Sequence, residues 1–115
     1  MLKVGDEVLC RIDRISKFRG ADVTVVDSGV CGVIRLQDIG AVCVSEAFVP
    51  GDIVRAIALS VGDMKSSFFS TAAKHLGVFM AKENEEWLVP IDQGHMRNPS
   101  TGIVYKRKVA QHTHI

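Results

Sequence analysis

The residues best suited to chemistry in this chain gather around one hairpin. Lys17, Phe18, Arg19 and Arg35 set an aromatic ring and three cations at or near the ends of two β-rich runs, Val23 to Val26 and Val30 to Ile34. Binding single-stranded nucleic acid requires that combination, because cations track phosphates while a ring accepts a stacked base. A plainer reading stands beside it: Phe18 is a core residue and the cations are solvated surface, since apolar side chains are most often buried. Asp27-Ser28-Gly29 joins the two runs. Asp and Gly tolerate the positive φ of a tight turn, so the stretch is expected to be an antiparallel hairpin.

The densest basic cluster comes late, at Tyr105-Lys106-Arg107-Lys108. On a strand, Lys106 and Lys108 share one face while Tyr105 and Arg107 share the other. Lys106, Arg107 and Lys108 would then touch RNA phosphate or an acidic partner surface, or they mark a solvated edge strand on which Lys discourages unwanted pairing. Both readings stay open at this point.

Catalytic constellations are missing. Ser28 before Gly29 lacks the glycine-x-Ser-x-glycine frame of a nucleophile elbow. The carboxylates are scattered through turns, where Asp caps or turns the backbone. No Gly-x-x-x-x-Gly-Lys loop cradles a phosphate. His112 and His114 have a spacing that could hold a metal weakly, but on a terminal tail. His75 and His95 stand alone. The expectation is a protein without catalytic residues, bound metal or cofactor.

Elements must position the candidates, and 115 residues with 47% hydrophobic content suit one domain, or one with a small appendage. The net charge is only +1, yet residues 1–63 hold seven Lys/Arg against nine Asp/Glu, and residues 64–115 hold seven against four. Positive charge therefore lies late while the aromatic-cationic hairpin lies early, so charge alone does not locate a binding face. Cys10, Cys31 and Cys43 are odd in number and form no CxxC pair, which fits small buried residues of a reducing compartment. Nothing approaches membrane-spanning length, and a soluble intracellular protein is expected.

Val4-Gly5-Asp6 opens the fold with a turn, and strand one runs from about Glu7 to Ile15, with Val8, Cys10 and Ile12 alternating against Leu9, Arg11 and Asp13. The hairpin supplies strands two and three. Leu36 to Glu46 reads as a loop with a short helical turn. Pro50-Gly51-Asp52 repeats the opening turn before strand four, Ile53 to Ser60, and Gly62-Asp63 leads to a fifth strand near Ser67 to Thr71. Five short strands split by Gly-Asp turns suggest a small closed barrel, which also removes exposed edges. Gly77 ends this unit. Three further runs follow, Val78 to Ala81, Trp87 to Ile91 and Ile103 to Ala110, with a strong turn at Asn98-Pro99-Ser100-Thr101-Gly102. Under forty residues have little core of their own, so this section must dock on the barrel, on a partner, or on both.

Val4-Gly5-Asp6-Glu7-Val8, Gly32-Val33-Ile34-Arg35 and Pro50-Gly51-Asp52-Ile53-Val54-Arg55-Ala56 together resemble an S1-type RNA-binding domain. More narrowly, Phe48-Val49-Pro50-Gly51-Asp52-Ile53-Val54, Leu59-Ser60-Val61-Gly62-Asp63 and Ser70-Thr71-Ala72 are similar to the exosome component 1 family of cap subunits. Leu76-Gly77-Val78, Val89-Pro90-Ile91 and Lys106-Arg107-Lys108-Val109-Ala110 extend that likeness to the tail. The resemblance implies an all-β fold: a five-stranded OB-type barrel over residues 1–76, then a small zinc-ribbon-like β unit over 77–115. Members usually carry another small β domain before the barrel, so a fragment or a shortened member is expected. Two departures matter. Asp22 and Arg35 stand where S1-type domains often carry an aromatic and a histidine, leaving Phe18 as the stacking candidate. Gly94 and Asn98 replace both thiols of the family's Cys-x-x-x-Cys-Pro element, so a ribbon without zinc is expected.

The resemblance implies a non-catalytic RNA-binding cap subunit of the RNA exosome, acting in RNA processing and decay in nucleus, nucleolus and cytoplasm. Its partners would be single-stranded RNA, bound weakly and without sequence preference, and RNase-PH-like ring subunits, with no membrane. Lys17, Phe18, Arg19 and Arg35 are the expected RNA contacts, and the C-terminal unit the expected ring contact. Two other functions remain: a free-standing S1-type module of translation, and an interaction scaffold that has lost RNA binding, which Asp22 on the RNA face would suit.

Overall fold

The computed structural model describes residues 1–41, 43–62 and 67–111. Strands β1 (Glu7–Ser16), β2 (Gly20–Val25), β3 (Cys31–Arg35), β4 (Ile53–Ser60) and β5 (Ser67–Ser70) close into a barrel. The order is β1-β2-β3-β5-β4, and β4 returns to β1; all pairings are antiparallel except β3 with β5. This is the expected OB-type barrel, with a 3-10 turn at Leu36–Asp38 and one helical turn, α1 (Val44–Ala47), as its only described helical pieces. Among the described residues no helix is long and apolar enough to cross a membrane.

The interior follows from strand alternation. Cys10 and Ile12, Val23 and Val25, Val54, Ala56 and Ala58 all point inward and are buried. Phe48 and Phe69, both 0% exposed, fill the space that the small residues of β4 leave. Gly32 completes the fit, because a Cβ there would lie 2.5 Å from the Phe69 ring. Burying one such ring stabilises the fold by about 1.5–3 kcal/mol. The β2–β3 connection is longer than Asp27-Ser28-Gly29 alone. The ladder ends at Val25, whose amide donates to Val30 at 2.8 Å, while Gly29 turns at φ +76° and donates back to Val25.

A sixth strand, β6 (Gly77–Met80), pairs with the N-terminal half of β4, on the edge whose other half pairs with β5. Beyond it come a two-residue hairpin, β7 (Lys82–Glu83) with β8 (Glu86–Trp87), and an antiparallel ribbon of β9 (Val89–Asp92), β10 (His95–Arg97) and β11 (Val104–Lys106). Residues 82–87 close as a hairpin because Asn84 and Glu85 both take positive φ (53° and 63°). The expected strand from Ile103 to Ala110 is cut to three residues, because Arg107 leaves the ribbon to turn inward.

This C-terminal section docks on the barrel. Leu88, Met96 and Val109 join the same buried cluster as the barrel interior. Val78 bridges Val109 in parallel, its amide donating to Lys108 at 2.6 Å while Ala110 donates back at 2.9 Å. Gly77 makes that approach possible: at φ +135°, a Cβ would fall 2.2 Å from the Lys108 carbonyl oxygen.

Candidate nucleic-acid interface

One outer face of the barrel carries the expected RNA residues. β1 and β2 are joined by the turn Lys17-Phe18-Arg19, tied by the Phe18 amide to the Ser16 hydroxyl at 3.2 Å and the Arg19 amide to the Ser16 carbonyl at 3.3 Å. Gly20 sets the turn against β3. Its φ is +113°, and a Cβ at this position would fall 2.0 Å from the Ile34 carbonyl oxygen, so no side chain is admitted. The register then aligns Ser16, Gly20 and Arg35 across three strands. The turn and Arg35, well separated in sequence, are thus brought to one end of the barrel.

Phe18 is 80% exposed, which overturns the reading of it as a core residue. The Lys17 ammonium lies 5.3 Å from its ring centroid. Arg19 reaches Asp22 at 2.9 Å. Arg35 donates from Nε to Asp38 at 2.8 Å, and its guanidinium lies 4.6 Å from the centroid of Phe68. Stacking on an aromatic face leaves a guanidinium oriented and still charged.

Two residues of this face escaped the sequence reading. Phe68 is half-buried in β5, aligned with Val33 of β3 by the parallel pairing. Strand order cannot be counted from a sequence, so its place beside Arg35 was not legible. Arg14 belongs to the same row, with Asp22, Val33 and Phe68. Plain alternation after Cys10 and Ile12 would turn it inward. A β-bulge between Ile12 and Arg14 inserts Asp13 and shifts Arg14 to the outer face, where its side chain is 77% exposed. The bulge is tied by Asp13, which accepts from Arg11 at 2.8 Å and Thr24 at 2.5 Å. Burial alone would raise the Asp13 carboxyl, but the hydrogen bonds from Thr24 and Arg11 and the charges of Arg11 and Arg14 outweigh it and hold the group below its ordinary value.

The late basic cluster divides three ways. Lys106 is exposed and lies 3.6 Å from Glu46. Lys108 donates from Nζ to the carbonyls of Ala73 at 2.9 Å and Leu76 at 2.6 Å, and burial lowers its pKa. Arg107 presents nothing to solvent: 3% exposed, it donates from Nε to Asp52 and from a terminal nitrogen to Glu83, each at 2.8 Å. Its burial contradicts a surface contact, and its partners make it an internal clamp. Sequence pattern could not separate the three, because each continues the same basic run.

In the ribbon, hydrogen bonds occupy the positions where the resemblance has thiols. Asn98, 1% exposed, accepts at Oδ1 from the amides of Ser100 (2.8 Å) and Thr101 (3.3 Å). At the other turn Asp92 accepts from the Gly94 amide and pairs with His95 Nδ1, both at 2.8 Å; the His95 hydrogen bond, with that amide, lowers the Asp92 pKa. Among the described residues no three His, Cys, Asp or Glu side chains gather as metal ligands. His112 and His114 lie outside the described residues.

No family model matches the chain. It is 42% identical to the exosome complex component csl4 of Schizosaccharomyces pombe, over 94% of this chain and 66% of that protein. It is 36% identical to the exosome complex component CSL4 of Mus musculus and of Homo sapiens, each over 94% of this chain and 62% of that protein. The chain therefore spans 62–66% of the length of the curated relatives it matches. With 94% of its length aligned to these relatives at 36–42% identity, the chain belongs to the family of the exosome complex component Csl4.

Proposed function

We propose that this chain is a non-catalytic cap subunit of the RNA exosome that leads single-stranded RNA across its barrel and contacts the ring through its C-terminal section. The observation that carries the RNA role is the exposed Phe18 ring among Lys17, Arg19 and Arg35, with the Arg35–Phe68 stack alongside. A strand surface with rings for bases and cations for phosphates suits weak, sequence-tolerant binding. The labour divides at 76/77, with the barrel taking RNA and residues 77–115 taking RNase-PH-like ring subunits. Trp87, Ile91, Ile103 and Val104 all lie in that section and are each half or slightly more accessible, apolar surface that a ring subunit would cover. Lys106, at the end of β11, adds a rim charge there. The setting that follows is RNA processing and decay in nucleus, nucleolus and cytoplasm.

Purification of the tagged chain from native extract, followed by mass spectrometry, tests this. Ring subunits of the RNase-PH type should co-purify in stoichiometric amounts. Ribosomal proteins in their place would support a free-standing module of translation. The scaffold reading draws on Asp22, which holds two of the face's arginines; absence of RNA binding at low salt would favour it.

A further inference from the structure

Asp22 sits between two guanidinium groups. Its Oδ1 lies 2.9 Å from Arg19 and its Oδ2 3.3 Å from Arg14 Nε. The arginines come from different elements, Arg19 from the turn and Arg14 from the β1 bulge, and both are largely exposed (68% and 77%). Asp13, the other carboxylate nearby, is engaged by Arg11 and Thr24. With Ile15, Ser16 and Gly20, the three residues line a hollow of about 140 Å³ on the outer face. The row continues through Val33 to Phe68.

Resting on the RNA reading above, we propose that Arg14 and Arg19 form a phosphodiester-binding fork that the Asp22 carboxylate occupies in the free protein, so that an RNA backbone binds by displacing it. A guanidinium presents the same planar donors to carboxylate and phosphate, so whatever geometry holds Asp22 also suits a phosphate oxygen pair. Exposed ion pairs are individually weak, which makes Asp22 an exchangeable occupant instead of a permanent lock. Its position beside both guanidinium groups then sets affinity: a cation-rich face stays weak toward RNA because its own carboxylate competes for two of its arginines. Phe68 lies two strands further along, where a base attached to the bound phosphate could stack.

The test is fluorescence anisotropy of a labelled oligouridylate against the full chain, across a range of salt. Asp22→Asn keeps the side chain's shape and removes its charge, and should bind about three- to tenfold tighter at low salt, the size expected from freeing two exposed pairs. Its salt slope should stay close to the parent's, because both arginines end on phosphate in either complex and only the internal competitor is lost. Asp22→Thr, a good strand former, should behave the same way and guards against an effect particular to Asn. The gain from Asp22→Asn should shrink in a chain that already carries Arg14→Ala, where only Arg19 is left to free, and vanish in one that carries both Arg14→Ala and Arg19→Ala. If the parent chain binds RNA and both Asp22 variants bind no tighter, the fork is overturned while the RNA face stands. If neither parent nor variants bind at low salt, the RNA face itself falls and the fork with it.

Discussion

Arg107 and Asp52, 55 residues apart in sequence, meet in the interior with Nε and Oδ2 at 2.8 Å and only 3% and 2% of their side chains exposed. Asp52 closes the turn before β4 and also accepts from the Val49 amide at 3.0 Å. Burial pushes its carboxyl up, against Arg107 and that amide. Arg107 extends the link to Glu83 in the β7–β8 hairpin. One cation therefore fastens the C-terminal section to the barrel.

Removing that cation should cost more than removing a surface charge. Arg107→Ala leaves Asp52 buried and unpaired, a situation that typically destabilises by about 3–5 kcal/mol. Arg107→Lys cannot reach both carboxylates from one point charge and should recover only part of the loss. Urea unfolding of the three chains checks the order; an Arg107→Ala chain within about 1 kcal/mol of the parent, the range of surface pairs, would refute the clamp.

Acid should act through Asp13. Its folded pKa lies below its ordinary value, so its stabilising contribution is fully present above the unfolded value near about 3.9 and is lost as pH falls through the folded value. Asp13→Asn should accordingly lose less stability than the parent between pH 5 and pH 2, as read by urea unfolding at each pH. An unchanged pH dependence would show that the bulge does not need the ionised carboxylate.

The cysteines should separate by reactivity. Cys10 is 0% exposed and burial pushes its thiol up to about 12, while Cys31 is exposed at the start of β3. Thiolate is the reactive form, so an alkylating agent at neutral pH should label Cys31 in the folded chain and Cys10 only after denaturant is added. Peptide mapping of the labelled protein gives the answer, and rapid labelling of Cys10 without denaturant would contradict the packed barrel.

The barrel was legible because each of its strands announces itself locally. Alternation across Glu7 to Ile12, the turns at Gly5-Asp6 and Gly51-Asp52 and the β-formers of Ile53 to Ser60 all agree with the strands observed, while the Gly62-Asp63 turn lies partly outside the described residues. Arg14 was not legible, because a bulge reverses the side a residue faces and nothing in the residue types marks one at Asp13. Nor was Arg107: three adjacent cations read alike until the turn after β11 buries the middle one. Phe68 and Arg35, 33 residues apart, meet only through the β3–β5 pairing, which depends on the order of strands around the barrel.

The RNA face yields the sharpest separation of roles. Three cations, Lys17, Arg19 and Arg35, neutralising phosphates of a single strand contribute about −2 to the logarithmic salt slope, and stacking adds a salt-independent contribution of about 1–3 kcal/mol per base. Phe18→Ala should lower affinity equally at every salt concentration and leave the slope unchanged. Arg35→Ala should flatten the slope by about 0.7. It should also weaken stacking, since its guanidinium no longer orders the Phe68 ring. The melts decide whether these are binding effects. Phe18 is 80% exposed, so its loss should leave thermal stability almost unchanged, whereas Phe69→Ala, one residue beyond Phe68 and 0% exposed, should cost about 3–5 kcal/mol. Should Phe18→Ala keep both its melting temperature and full RNA affinity, the ring is an idle surface residue and the stacking platform must be sought at Phe68.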